Sequence, residues 1–503
     1  MLSLLIAIPL VGSLLIGLLP PSFTPHRIRS IALAVMALTG LWTLKLTLDF
    51  DLDNPGFQWE EYLSWIPQLG LSYSLGMDGL SLPLVGLSAI LTPMAIASSR
   101  PDMNRPRLYY SMILLVNAAI AGAFLSQNLL LFVLFYELEL IPIYLLISIW
   151  GGEKRSYAAM KFLIYTAVSG ILILAAFLGM AWLSGSGSFD FGAIQTQNLS
   201  AISQLVLMVI LLIGFGIKIP LVPFHTWLPD AYVESSAPVT ILLGGLLAKL
   251  GTYGLIRFGL QLFPETWKII APELSIIAVF SVMYGALTAI SQQDIKRMVA
   301  YSSIGHMGYI IVAMAAGTEV SLIGAISQMV AHGLILAILF HLVGIVEVKV
   351  GTRDLKLLNG LMNPIRGLPL TSALLIMAGM ASAGIPGLVG FVAEFLVFQG
   401  TFTVFPIQSL LCIIASGLTA VYFVILLNRT CFGKLDNELA YYPKVAFSEQ
   451  APALILALLI LFLGVQPSWL LRWCEPTAKQ MAMELSIHPV QQVAIQPENP
   501  SGL

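Results

Sequence analysis

Six side chains in this sequence could together carry a proton: Glu137, Lys218, Lys249, His306, His332 and Glu394. The set holds both signs of charge and two imidazoles, and nothing resembling a nucleophile with an oxyanion hole. A desolvated lysine tends to lose its proton and a neighbouring carboxylate reverses that tendency, so moving one charge changes the proton affinity of the next group. The chemistry that fits is proton relay. Taken singly, a histidine on an apolar face is more often a satisfied core residue, and it is the company that argues otherwise.

The surroundings make these residues unusual. The chain has 503 residues, 58% hydrophobic and 10% charged, with a mean hydropathy of +0.90, where a soluble domain carries about 25% charged residues. That excludes a soluble enzyme, a disordered chain and a nucleic-acid binder. Uncharged runs fall at about 2–19, 30–48, 79–99, 108–125, 128–150, 158–183, 201–219, 239–260, 272–291, 298–316, 319–346, 369–400, 404–428 and 450–471. Each approaches the roughly 20 residues that span a bilayer, and 369–400 is too long for one straight crossing. Backbone groups in lipid need internal partners, so the runs must be helices. The expected fold is an all-α polytopic membrane protein with about 14 transmembrane helices.

Lys and Arg set the orientation. With the N-terminus outside, the inner loops hold sixteen bases and the outer loops four (Arg257, Lys268, Arg472, Lys479), while the outer loop from Asp49 to Asp78 has six acids and no base. An even helix count puts both termini outside. Met1-Leu2-Ser3 lacks the basic start of a signal peptide, so the first run reads as a retained span. Cys412, Cys431 and Cys474 are too scattered for a disulfide framework or a cysteine metal site. No G-x-G-x-x-G or Walker loop is present, which assigns nucleotide chemistry to a partner.

Four bases have no place in that count: Lys45, Lys161, Lys218 and Lys249. Lys45 and Lys161 lie near the ends of their runs and can snorkel to the interface. Lys249 lies roughly 16 Å deep, near the midplane, and Lys218 stands before Pro220 and Pro223, where its helix must break. Glu137 is about 14 Å into its run. Glu139 is two residues on, some 200° around a helix, so one of the two faces a different partner or another subunit. Glu394 follows the breaker Gly384-Ile385-Pro386-Gly387 by about two turns. Charges at such depths cost roughly 2.5 to 3.5 kcal/mol on insertion scales, so the default reading is functional. His332, beside Gly333, can be approached closely by a neighbouring helix; His341 is a weaker candidate, about 180° from it.

Breaks at Ile219-Pro220 and Ile385-Pro386 are five spans apart, an odd number, so a unit repeated at that offset returns inverted. The expected organisation is 1–107, the first three helices with outer loop 49–78; 108–260 and 272–428, two inverted five-helix repeats, each with a broken helix, taking the proton in and passing it out; 429–475, an inner loop and the last helix; and 476–503, a polar tail. Simple packing kinks are the plainer account of the breaks.

The phrases Phe135-Tyr136-Glu137-Leu138-Glu139-Leu140-Ile141-Pro142, Lys218-Ile219-Pro220, Pro223-Phe224-His225-Thr226-Trp227-Leu228-Pro229-Asp230-Ala231 and Gly387-Leu388-Val389-Gly390-Phe391-Val392-Ala393-Glu394 resemble the antiporter-like subunits of complex I. The terminal glutamate resembles the chain 4 type (NdhD/NuoM). Leu75-Gly76-Met77-Asp78-Gly79-Leu80-Ser81 and Tyr441-Tyr442-Pro443-Lys444-Val445 look like its cyanobacterial and chloroplast branch. The resemblance implies a proton-translocating subunit of a photosynthetic NAD(P)H dehydrogenase-like complex in the thylakoid membrane, with both termini lumenal and roles in the relay for Glu137, Lys218, Lys249 and Glu394. It implies sister membrane subunits on either side, plastoquinone and iron–sulfur clusters in partner subunits, and no cofactor or metal in this chain. His341 and the stretch from Glu347 to Asp354 depart from the usual pattern and resemble the CO2-uptake isoform, which carries a carbonic-anhydrase-like module. The alternatives are a subunit of a multi-subunit Na+/H+ antiporter, disfavoured by the terminal glutamate, and a non-pumping spacer, disfavoured by the intact set of buried charges.

Overall fold

The computed structural model describes residues 1–100, 102–435 and 442–487. Its helices are α1 (Ser3–Leu18), α2 (Pro25–Leu48), α3 (Ser81–Ala97), α4 (Pro106–Leu125), α5 (Leu129–Leu138), α6 (Leu140–Trp150), α7 (Arg155–Ser184), α8 (Ala201–Lys218), α9 (Trp227–Glu234), α10 (Ala237–Leu242), α11 (Ala248–Gly254), α12 (Pro264–Ile290), α13 (Ile295–Ala316), α14 (Glu319–Val350), α15 (Pro369–Ser382), α16 (Val389–Phe402), α17 (Pro406–Cys431), α18 (Phe447–Val465) and α19 (Ser468–Ile487). α5 runs into α6, and α10 and α11 belong to one span, Ala237–Leu260. Eleven helices among the described residues are long and apolar enough to cross a membrane; α1, α3, α15 and α16 are shorter apolar helices. The polytopic helical fold is as expected, and eleven of the expected spans among the described residues are single helices of full length.

Local chemistry fixes the helix ends. Proline, whose missing N–H costs nothing in the first turn, opens α2, α4, α12, α15 and α17. Asn128 caps α5 by accepting from Leu130 and Leu131 N–H at 3.1 and 3.2 Å, and Asp294 caps α13 in the same way. Packing follows apolarity: the span Ala237–Leu260 and the central part of α14 are buried, and α13 nearly so, whereas α2 and α18 leave most of their residues open. The buried three form the axis of the molecule.

Three regions differ from expectation. Loop 49–78 contains an antiparallel hairpin of β1 (Gln58–Ile66) and β2 (Leu71–Met77), pairing Tyr62 with Ser74 and Leu63 with Tyr73. The polar tail is partly helix: α19 runs across residue 476 and buries Cys474, Ala478, Met481 and Leu485 against the protein. Residues 488–503 of that tail, and Tyr441 of the quoted phrase, lie outside the described residues. Arg257 is no outer-loop base either. It is 2% exposed, donates to Asp78 Oδ2 at 2.6 Å and to Gln261 Oε1 at 2.8 Å, and stacks on Phe57. Asp78, counted as a loop acid, is 3% exposed and also accepts from the N–H groups of Leu80 and Ser81. The pair ties the start of α3 to the end of the central span.

Removing one member of a buried ion pair leaves the other charge uncompensated, a loss of about 3–5 kcal/mol. Asp78→Ala is therefore expected to lower the thermal unfolding midpoint in detergent sharply, and Asp78→Ala with Arg257→Met to recover much of it.

Candidate functional site

Five of the six expected relay residues are at most 5% exposed. Lys218, Lys249 and Glu394 lie in or near irregular backbone, whereas His306 and His332 sit within the regular helices α13 and α14. α8 stops at Lys218, and after Ile219-Pro220-Leu221-Val222-Pro223 the chain resumes as α9; Trp227 Nε1 donates to Ile217 O at 2.8 Å and closes one carbonyl the break exposes. Lys249 sits between two π-helical turns, Leu243–Leu247 and Leu255–Leu260, wide turns that accumulate at functional sites. Its Nζ donates to Gly244 O, five residues back, at 2.5 Å. α15 and α16 flank the second break, turned by Gly384 (φ +69°) and Gly387 (φ +90°). These φ values are ones only glycine adopts freely.

One continuous set of contacts crosses the centre. Lys249 Nζ is 2.9 Å from His332 Nδ1. The His332 and His306 rings stack at 5.4 Å between centroids, tilted by only 9°. His306 Nε2 is 3.5 Å from Glu394 Oε1. Glu394 Oε2 accepts from Ser416 Oγ at 2.8 Å, and His306 Nδ1 faces Ser302 O at 2.9 Å. The Nε2 of His332 is buried without a hydrogen-bond partner among the described residues. Gly333 brings α14 against the central span: a β-carbon there would lie 3.0 Å from Gly245 O. Ser416 is a member of the set that no sequence pattern marked.

A second cluster surrounds Lys218. Its ammonium pairs with Glu139 and lies 4.5 Å from the Tyr136 ring centroid. Glu139 is wholly buried; Glu137 is half-buried beside Gly170, with Oε1 unpartnered. The reason is a discontinuity at Glu139, between α5 and α6. Pro142 has no N–H to offer the carbonyl four residues earlier, which interrupts the hydrogen-bond ladder there. The two clusters meet at Gly251, where a β-carbon would lie 3.3 Å from Lys218 Cβ and 3.1 Å from Ile219 N.

Other expected candidates fall elsewhere. His341 is buried but donates toward Glu449 O at 2.8 Å, away from the set. Lys161 does not simply snorkel: it pairs with Asp230 at 2.8 Å, an acid Arg297 also reaches at 3.4 Å. Lys45 lies 4.8 Å from the Trp42 ring centroid, consistent with an interfacial position. Lys296, taken for an inner-loop base, is 1% exposed, donates to Ser235 O at 2.5 Å and stands 3.9 Å from Glu347. It lines a cavity of about 990 Å³ with Arg105, Lys154 and Arg353.

A family model described as NADH:quinone oxidoreductase/Mrp antiporter, TM, matches residues 126–419; another, NADH-ubiquinone oxidoreductase chain 4, amino terminus, matches residues 28–126. The chain belongs to the chain 4 family of these membrane proteins. NAD(P)H-quinone oxidoreductase chain 4 1 of Synechococcus sp. (strain JA-2-3B'a(2-13)) is 39% identical over 99% of this chain and 96% of its own length. NAD(P)H-quinone oxidoreductase chain 4 2 of Thermosynechococcus vestitus is 40% identical over 87% and 83%. A chain of respiratory complex I from Thermus thermophilus superimposes with a TM-score of 0.87 at 28% identity, covering 96% of this chain and 100% of that one. A chain of the Mrp complex from Dietzia sp. gives 0.85 at 21% identity over 96% and 97%, a likeness of fold. The chain 4 match thus extends over both breaks and all six relay candidates.

Gly384 tests how closely the second break serves Glu394. An added β-carbon would lie 2.8 Å from Glu394 Oε2, at a φ of +69°. Gly384→Ala is expected to cut proton translocation by the assembled complex by roughly tenfold, the factor that about 1.4 kcal/mol represents. Gly417→Ala, with open space around it, should translocate normally in the same assay.

Proposed function

We propose that the chain is a proton-translocating membrane subunit of a complex I-like NAD(P)H-quinone oxidoreductase. The observation that carries this is the run of contacts Lys249–His332–His306–Glu394, buried in the middle of a chain 4 family member. Electron transfer to a quinone in partner subunits drives the process, and this chain contributes no redox centre. A proton held at the Lys218 cluster passes to Lys249 and through the stacked imidazoles. Glu394, held by Ser416, releases it.

The ferredoxin-driven photosynthetic form, with plastoquinone as acceptor and iron–sulfur clusters in the partners, is the finer reading. It draws on the cyanobacterial character of the relatives and of the quoted phrases, and it carries with it a thylakoid location with lumenal termini. Sister antiporter-like subunits on either side belong to the same reading. The CO2-uptake form, with its carbonic-anhydrase-like module, rests on the stretch from Glu347 to Asp354. There Glu347 and Arg353 form an ionic cluster with Lys296 and Asp294; that cluster does not itself point to CO2. A sodium/proton exchanger shares the fold, and a sodium requirement would favour it.

Lys249→Ala and Glu394→Gln are each expected to lower protons translocated per quinone reduced, without sodium, in vesicles containing the assembled complex. Normal translocation in both variants would overturn the relay. Translocation that needs sodium would move the assignment to an exchanger.

A further inference from the structure

Away from the relay, five segments of the chain enclose the cavity of about 990 Å³: the α3–α4 and α6–α7 connections, the turn between α9 and α10, the start of α13 and the end of α14. No relay residue lines it. The lining includes Lys296, which is almost wholly buried. An ammonium carries three donors, and the structure gives this one a single hydrogen bond, to Ser235 O at 2.5 Å. Glu347 stands 3.9 Å away, too far for a hydrogen bond, and is engaged by Arg353 at 3.2 Å.

Two hydroxyls line the same space. Tyr109 is wholly buried, and its Oη, like Ser236 Oγ, is buried without a hydrogen-bond partner among the described residues. Buried polar atoms are ordinarily partnered, so these are donors still to be used. Arg105, Lys154 and Arg155 are exposed residues of the lining and make no ion pair among the described residues. Six bases and four acids line the cavity in all, so it attracts anions; a funnel for protons or metal ions would carry the opposite excess. Glu234 does not reverse this, because its Oε2 already accepts from the Lys154 backbone N–H at 2.8 Å.

The donor set narrows the anion. One ammonium, two hydroxyls and several guanidinium or ammonium groups around one space suit an anion with three or more acceptor oxygens, which a phosphate group has and a carboxylate lacks. The volume exceeds what a lone phosphate fills, and Met103, Ile149 and Val348 give part of the wall an apolar surface. An ester carrying an apolar stem fits such a wall.

We propose that this cavity is a binding site for a phosphate group, with Lys296, Tyr109 and Ser236 donating to its oxygens and Arg105, Lys154 and Arg155 supplying charge around it. The group comes from a phospholipid headgroup or from inorganic phosphate, and the recognition is the same for both. The site holds the Ser235-Ser236 turn, and that turn opens the buried span that carries Lys249. The proposal does not depend on the proton-relay reading.

The test uses the assembled complex after detergent exchange has removed loosely held lipid. It is offered radiolabelled orthophosphate in equilibrium dialysis and, separately, mixed micelles of dodecyl maltoside and phosphatidylglycerol, after which this chain is released and weighed by native mass spectrometry. Saturable orthophosphate binding identifies free phosphate as the source, and one adduct of phospholipid mass on the chain identifies the headgroup. In Lys296→Met and in Arg105→Gln with Arg155→Gln, affinity for the species that binds is expected to fall roughly tenfold or more, as loss of a charge-assisted contact implies. Binding should also weaken as salt rises. No phosphorus bound by the unaltered complex, or equal binding by it and both variants, overturns the site. Should Lys296→Met fail to assemble, the exposed pair Arg105→Gln with Arg155→Gln decides by the same comparison. Translocation lost in the variants, with no phosphorus bound by the unaltered complex, would overturn the site in favour of a water-filled inlet.

Discussion

A lysine ammonium inside hydrocarbon must be bound to something, and most of the unusual backbone in this protein supplies that partner. Lys218 lies at the end of a broken helix, against a carboxylate that a second discontinuity, at Glu139, turns toward it. Lys249 reaches a carbonyl of a π-helical turn and a histidine on the neighbouring helix. Regular α-helices would leave their carbonyls engaged and their side chains facing wherever a 3.6-residue repeat put them. Interrupted helices give up some backbone bonding and gain acceptors at fixed positions, which is tolerable in a membrane only where protein encloses them.

The same constraint explains why the acids and bases occur in an order across the bundle. Two runs of contact make up the order: Glu139 with Lys218, and Lys249, the two stacked imidazoles and a final carboxylate held by a hydroxyl. Moving one proton changes the electrostatic balance for both neighbours, so transfer at one end can be felt at the other. Small residues set the spacing. Gly251, Gly333 and Gly384 stand where a β-carbon would press on Lys218, on Gly245 and on Glu394. The Asp78–Arg257 pair performs a different task with the same chemistry, locking the Arg257 end of the central span to the start of α3.

Much of this was legible in the sequence, because charge-free runs and proline-glycine interruptions are one-dimensional signals. Lys218 before Pro220, Lys249 in mid-run and Glu394 after Gly384-Ile385-Pro386-Gly387 stood out on position alone. The partner of Lys218 did not. A spacing of two residues says that Glu137 and Glu139 diverge, but which of them meets Lys218 depends on how the α5–α6 helix packs against α8, which the spacing does not encode. Arg257 and Lys296 were misassigned for one shared reason: a base near the end of a run looks interfacial until the acid or carbonyl from a distant segment is placed beside it. Ser416 gave no signal, being an ordinary serine in an apolar helix. The hairpin and α19 were overlooked because they lie beside the membrane helices, where runs of uncharged residues are no guide.

The central claim is that protons cross through the stacked imidazoles. His332→Leu removes one ring while keeping an apolar side chain of similar bulk, and protons translocated can be counted per quinone reduced in vesicles holding the assembled complex. The ratio is predicted to fall while quinone reduction remains measurable. A ratio equal to that of the unaltered complex would contradict the account.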